Sequence, residues 1–252
     1  MEGISSRLEP LDLGGKVVAI TGASRGLGAG IAHAAARSGA SLALCSRSTP
    51  ALAGSERVLS ECVDVSCAEA IDGFGARAFE RFGHVDLWIN NAGLLDPIGP
   101  LRELDPLALR ALVDTNVCGV LFGCRAYLRE LHRANARGTL INVSSGAARN
   151  AYHGWSGYCA TKAAVDRLSE CIAIEESDRV RVYSLAPGVI DTDMQTLIRS
   201  KSPHEFAQVE RFRTRHAEGG LEDPLATGAK ILRFAFDERP APRPVCGDLR
   251  DT

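Results

Sequence analysis

The sequence predicts an α/β fold in which one doubly wound, mostly parallel sheet of about seven strands carries helices on both faces. Three observations predict it. Short runs rich in Val, Ile and Leu alternate with helical stretches, the runs are too apolar for a sheet with one wet face, and a glycine-rich turn joins the first run to the first helix. At 252 residues with 45% apolar content, the chain suits one undivided domain over residues 1–252.

The strand runs are Lys16–Ile20, Ser41–Cys45, Val85–Asn90, Thr139–Val143 and Arg179–Leu185; a weaker one at Glu61–Val65 and a last one at Val245–Asp248 bring the count near seven. Apolar residues at three- and four-residue spacing predict helices over Leu27–Ser38, Ala68–Phe82, Pro106–Ala134, Gly157–Glu175 and Pro224–Phe236. Ser48–Ser60, with Pro50 and Gly54, leaves room only for a stunted helix. Residues 1–15 read as an N-terminal extension, and the polar stretch Gln195–Gly220 as a substrate loop or lid.

Charge narrows the partners. Lys plus Arg (29) nearly balances Asp plus Glu (31), so no global field favours nucleic acid or an anionic membrane. The N-terminal stretch lacks an apolar core and no later run approaches a membrane span, so a soluble, cytoplasmic protein is expected. Eight cysteines without a Cys-x-x-Cys pair read as reduced thiols, and six histidines without ligand spacing predict no metal.

After the first strand comes Thr21-Gly22-Ala23-Ser24-Arg25-Gly26-Leu27-Gly28. Gly22 permits a tight turn, Gly26 lets backbone approach a pyrophosphate, and Gly28 lets the helix pack closely on the sheet. Ser24 and Leu27 belong to the same cradle, where the helix N-terminus offers N–H groups to phosphates. At the end of the second strand, where NAD-selective sites carry an acid, the chain reads Cys45-Ser46-Arg47-Ser48. Arg47, with Arg25 inside the turn, is suited to bracket a 2′-phosphate, so the predicted cofactor is NADP(H). Asp64 and Val65 end the third strand, within reach of an adenine. Asn90-Asn91-Ala92-Gly93 follows the fourth strand and reads as a polar turn holding neighbouring strands or as a backbone, Asn91-Ala92-Gly93, that meets the cofactor.

Tyr158 and Lys162 lie four residues apart on a predicted helix, hence on one face. An ammonium about 4 Å from the phenol, at an effective dielectric of about 20, contributes about 4 kcal/mol, or roughly three pK units, enough to bring the phenol near neutrality. Ser145 reaches the carboxyl edge of the sheet at the end of the fifth strand, suited to donate to a carbonyl. Asn116 interrupts an apolar helix, where its amide must be hydrogen-bonded, to a water or backbone group near Lys162 or simply within the core.

Thr-Gly-x3-Gly-x-Gly, Asn-Asn-Ala-Gly, Asn116, Ser145, Tyr158-x3-Lys162 and Pro187-Gly188 together resemble the signature of the short-chain dehydrogenases/reductases, from about Lys16 to Thr192. The resemblance implies a Rossmann domain and hydride transfer from a nicotinamide. Tyr158 would be the acid, Ser145 would polarise the carbonyl, Lys162 would grip the ribose and Asn116 would complete a proton relay. The backbone at Ile190 and Thr192, after Pro187 and Gly188, would hold the nicotinamide carboxamide. Gly154–Lys162, Ala186–Gln195 and Ala173–Glu176 further resemble sepiapterin reductases and bacterial benzil reductases, which reduce activated or α-dicarbonyl ketones.

On that resemblance the substrate residues are Trp155, Asp193, Met194 and Asp248. Trp155 reads as an aromatic wall for a flat substrate or as a packing residue, and Asp248 as a pterin anchor or a solvated tail carboxylate. Alternatives to a ketone reductase are an alcohol dehydrogenase or 3-oxoacyl reductase of the same superfamily and, from another class, a non-catalytic NADP(H) sensor or scaffold. Family members pair through two helices that correspond here to Leu107–Leu131 and Ala163–Ile174, so a homodimer or homotetramer is expected.

Overall fold

β1 (Val17–Thr21) reads Val-Val-Ala-Ile-Thr and is buried along its whole length, as a strand covered on both faces must be. It lies between β2 (Ser41–Ser46) and β4 (Leu87–Asn90), with Val17 opposite Ser41 and Val18 opposite Leu87. With β3 (Val58–Cys62), β5 (Gly138–Val143), β6 (Val180–Ala186) and β7 (Cys246–Asp248), the order across the sheet is β3-β2-β1-β4-β5-β6-β7. All six pairings are parallel. The computed structural model describes residues 11–237 and 244–251, so positions 1–10 of the expected extension lie outside the described residues.

The chain reverses direction across the sheet between β3 and β4, which opens a crevice at the carboxyl ends of β1 and β4. Helices α1 (Gly26–Arg37) and α8 (Pro224–Phe236) cover one face, where Ile31 and Ala35 share a core with Ile231 and Leu232. Helices α2 (Ala68–Phe82), α4 (Gly119–Arg133) and α5 (Ser156–Glu175) contribute Phe74, Tyr127 and Ile172 to the core on the other. Within that core Trp88 stacks on Tyr127, whose buried hydroxyl donates to Val85 O at 2.9 Å.

The structure departs from five expectations. The third strand begins three residues earlier than its apolar pattern suggested. Its half-exposed edge position left little apolar signal, whereas the buried Val63 and Val65 belong to the following loop, which packs beside Ala43 and Cys45. No helix joins β2 to β3 among the described residues; a turn closed by a bridge between Ser55 and Val58 does.

The single helix expected over Pro106–Ala134 is α3 (Pro106–Val113), one π turn (Asp114–Cys118) and then α4. Asp105 caps α3, accepting from the N–H groups of Leu107 and Ala108 at 3.2 Å. Contrary to expectation, Pro106–Arg133 is long and apolar enough to span a membrane, with mean hydropathy 1.5 across its best window. One side of α4 nevertheless packs on the sheet through Val120, Cys124, Tyr127 and Leu131. Finally, the expected lid over 195–220 contains two helices, α6 (Asp193–Ser200) and α7 (Val209–Ala217). Ile198, Phe206 and Val209 from this segment join Leu112, Trp155 and Tyr158 in a third core, so the cap is packed rather than loose.

Candidate active site

A cleft of about 1160 Å³ runs from the glycine turn, across the carboxyl ends of the strands, to α7. That exceeds the roughly 300–1000 Å³ of an ordinary small-molecule pocket and leaves room for a dinucleotide with a second ligand. Of the catalytic, cofactor and substrate residues expected from the sequence, all but Gly28 and Asn116 line it. Both stand behind the wall.

At one end the chain turns sharply from β1 into α1. Gly22 has φ +68°, and a Cβ there would come within 2.7 Å of Ala92 Cα. A Cβ on Gly28 would lie 2.2 Å from the carbonyl oxygen of Gly22, so helix and turn meet at a distance only glycine allows. Thr21 and Asn91 fix this contact from the neighbouring strand. The Thr21 hydroxyl accepts from the N–H groups of Asn91 and Ala92, and Asn91 Nδ2 donates back to Thr21 O at 3.0 Å. Asn91 is thus committed to the turn through its side chain.

Arg47 is exposed at the end of β2 and lies near Asp64. Partial burial raises the Asp64 pKa, but hydrogen bonds from the Ser66 N–H and hydroxyl, with the Arg47 charge, outweigh it and hold the carboxyl below its ordinary value. Arg25 pairs with Asp193 at 2.8 Å, and both are largely exposed, so the pair is easily opened. The sequence assigned these two residues to opposite ends of the cleft. The structure makes them neighbours, because the start of α6 crosses the glycine turn and Thr192 packs against Gly26. Pro187, Gly188 and Ile190 line the cleft after β6.

A buried polar chain sets the register of α5 against the sheet. Trp88 Nε1 donates to Asn90 Oδ1 (2.8 Å), Asn90 Nδ2 to Asn142 Oδ1 (2.8 Å), and Asn142 Nδ2 to Ser169 Oγ (2.9 Å). Asn90 is therefore the strand-tying asparagine. With α5 so fixed, Tyr158 and Lys162 face the cleft at the end of β5, beside Ser145.

Both are almost wholly buried, and burial decides their chemistry. It pushes the Tyr158 phenol up to about 12 against the lowering effect of a hydrogen bond with Ser145. It brings Lys162 down to about 8, against the raising effect of Asp166. The expectation of a phenol near neutrality is thereby corrected. Lys162 Nζ donates to Val143 O at 2.7 Å and lies 5.8 Å from the centre of the Tyr158 ring.

Asn116 occupies the π turn, fully buried. Its Oδ1 accepts from Leu94 N and its Nδ2 donates to Leu94 O, each at 2.8 Å, with a further bond to Thr161 Oγ1 at 3.2 Å. The amide therefore holds the loop that follows Gly93 against α5. Asp166 went unnoticed in the sequence although it continues the Tyr158, Lys162 spacing by another turn. Its Oδ1 accepts from the hydroxyls of Ser144 and Ser184, each at 2.6 Å, and so braces the ends of β5 and β6.

Toward the cap, Trp155 does both jobs considered for it. It stacks on Phe206 at 4.5 Å and meets Tyr158 and Phe212 edge-on, while also lining the cleft. Its indole N–H, like the Oε1 of the buried Gln195, is shielded and finds no partner among the described residues. Met194 lines the same stretch. Asp248 is not a solvated tail carboxylate. It ends β7, is 8% exposed, and is gripped by Arg250 through Nε (2.8 Å) and Nη2 (2.6 Å), which holds its pKa below the ordinary value. Arg211 and Arg215 of α7, also unnoticed in the sequence, complete this wall.

Residues 16–203 match the short chain dehydrogenase family. The chain is a short-chain dehydrogenase/reductase. It is 32% identical over 220 residues to the benzil reductase ((S)-benzoin forming) of Bacillus subtilis, covering 84% of this chain and 90% of that one. Among solved structures it resembles the KRED1-Pglu enzyme, with TM-score 0.81 and 34% identity over 91% of this chain and 98% of that one. It also resembles an alcohol dehydrogenase from the archaeon Thermococcus sibiricus complexed with 5-hydroxy-NADP, with TM-score 0.73 and 30% identity over 92% and 95%. As a member of this family it is an oxidoreductase acting on CH–OH and C=O groups.

Proposed function

We propose that the protein reduces an activated ketone, of the α-dicarbonyl kind, to an alcohol at the expense of NADPH, with Tyr158 as the proton donor. The observation that carries this reading is the group of half-buried Ser145 with buried Tyr158 and Lys162 at the end of β5, one wall of a cleft that begins at the glycine turn. The likeness to a benzil reductase supports the substrate class, and the likeness to a structure complexed with 5-hydroxy-NADP supports the cofactor.

The cleft residues fit the phosphorylated cofactor. The close-packed turn and the first N–H groups of α1 suit a pyrophosphate, and Arg47, with Arg25 once released from Asp193, suits a 2′-phosphate. NADPH supplies the hydride when bound. Ser145 donates a hydrogen bond to the substrate oxygen. Tyr158, whose phenol keeps its proton throughout the physiological range, gives that proton to the oxygen as negative charge develops on it. Lys162, about 8 and held at Val143 O, orients the ribose and stays close enough to compensate the phenolate left behind. Asn116 positions the Leu94 backbone along the path.

The exposure of Leu107, Val113, Leu121 and Ile174 on α3, α4 and α5 supports pairing with a second copy. The decisive experiment follows NADPH oxidation with benzil, 1-phenyl-1,2-propanedione, sepiapterin and simple monoketones. Turnover of the diketones with NADPH favoured over NADH is expected. Tight NADPH binding without turnover of any carbonyl would return the protein to the sensor reading.

A further inference from the structure

Helix α7 carries three arginines that are not equivalent. Arg213 is tied back into the cap, donating to Arg199 O (3.1 and 3.0 Å) and Lys201 O (3.0 Å) and pairing with Glu210. Arg211 and Arg215, one turn apart and hence on one face, line the cleft on either side of Phe212. Neither guanidinium has a hydrogen bond or ion pair with a described residue; the backbones alone are bonded, Arg211 N to Gln208 O and Gly220 N to Arg215 O. The carboxylates of the outer cleft are already engaged, Asp248 by Arg250 and Asp96 by Lys201. Two like charges at this spacing work against an isolated helix. The stem of Arg215 nevertheless packs half-buried beside Gly220.

Their position relative to the reacting groups follows from the aromatic rings. Phe212 meets Trp155 at 5.7 Å and Trp155 meets Tyr158 at 5.6 Å, both edge-on. A flat molecule with its carbonyl at the Tyr158 hydroxyl and its body along Trp155 brings its far end to α7. Arg25 and Arg47, beside the β1 and β2 termini, already suit a 2′-phosphate, so the cofactor does not need the α7 pair.

We infer that Arg211 and Arg215 form an anion-recognising subsite, and that the substrate is a ketone carrying a carboxylate at the end remote from the reacting carbonyl. The inference rests on the ketone-reductase reading and narrows its substrate class. A planar carboxylate offers two oxygens to guanidinium forks, the geometry in which arginine surpasses lysine.

The test compares 1-phenyl-1,2-propanedione with its ring 4-carboxylate as substrates for the wild type and for Arg211→Gln/Arg215→Gln. The wild type is expected to favour the carboxylate at least tenfold in kcat/KM. The double variant is expected to lose that preference, and Arg211→Lys/Arg215→Lys to regain part of it. NADPH affinity, read from nucleotide fluorescence, serves as the control. Equal kcat/KM for the two diketones in the wild type, or a preference that survives in the glutamine variant, overturns the subsite. So does a fall in NADPH affinity that matches the fall in preference, since the arginines would then serve the cofactor. If neither diketone turns over, the ketone-reductase reading fails, and calorimetric binding of the two compounds to the NADP⁺-loaded protein decides the subsite by itself. Tighter binding of the carboxylate to the wild type, abolished in the glutamine variant, upholds it; equal binding refutes it.

Discussion

Replacing Lys162 with methionine is expected to change the stability of the cofactor-free protein in a pH-dependent way that only a buried, depressed lysine produces. In the folded chain burial lowers this lysine from an ordinary 10.5 to about 8. At about 1.4 kcal/mol per pK unit the charged form costs about 3 kcal/mol below pH 8. Between pH 8 and 10.5 the unfolded chain binds more protons than the folded one, so wild-type stability rises with pH through that window, and above it the cost is gone. Methionine has neither the charge nor its titration, but it also forfeits the 2.7 Å bond to Val143 O, worth about 1–2 kcal/mol at any pH. The variant should therefore be more stable than wild type by about 1–2 kcal/mol at pH 7, raising Tm by a few degrees, roughly 3–6 °C. By pH 10.5 the order should reverse. Calorimetry or urea unfolding of both proteins at pH 7, 8, 9 and 10.5 reads the difference, in which the other titrating groups cancel. A difference that stays constant with pH, or grows in the variant's favour, would refute the argument that desolvation governs this residue.

Tyr158→Phe should keep the ring in the third core and lose the proton, so kcat for ketone reduction should fall about 10²–10⁴-fold while NADPH affinity holds; an unaltered steady-state rate would falsify the assignment. Arg47→Asp should weaken NADPH at least tenfold more than NADH, read by fluorescence titration, and an equal loss for both cofactors would remove the 2′-phosphate from that site. Asn116→Ala strands both polar groups of the Leu94 backbone and should destabilise the fold by about 2–4 kcal/mol. Denaturant unfolding within 0.5 kcal/mol of wild type would mean that Leu94 finds water or another partner.

What could be read in advance divides along physical lines. Buried strands and amphipathic helices announce themselves, so α2 and α8 begin and end where their periodicity does. The edge strand β3 did not, because a half-exposed ladder needs little apolar surface, and the valines that suggested its position serve a loop. Residues whose chemistry depends on local spacing were also legible: the glycine turn, Tyr158 with Lys162, and the odd amide at Asn116. Their protonation was not, since the sum for Tyr158 contained the lysine's charge and omitted desolvation, which proved larger. Groups defined by distant partners stayed hidden. The Arg25–Asp193 pair spans a separation of 168 residues, and the grip of Arg250 on Asp248 becomes meaningful only once β7 buries the carboxylate. Arg211 and Arg215 were lost in a stretch read as one polar loop, where arginines at every second residue give no helical signal.

The π turn at Asp114–Cys118 has one more consequence. It contains one residue beyond what an α-helix would use, so the side chains of α4 are out of phase with those of α3 by about 100°. A heptad drawn continuously from Leu107 to Leu131 therefore mixes two faces. Removing a single residue here would yield a smoother rod by any local measure of helix propensity, yet Asn116 could keep Leu94 only by swinging Tyr127 away from Val85, or the reverse. Within this stretch the chain's length is constrained as tightly as its chemistry: substitutions are graded in their effect, whereas an insertion or deletion of one residue uncouples the site from the core.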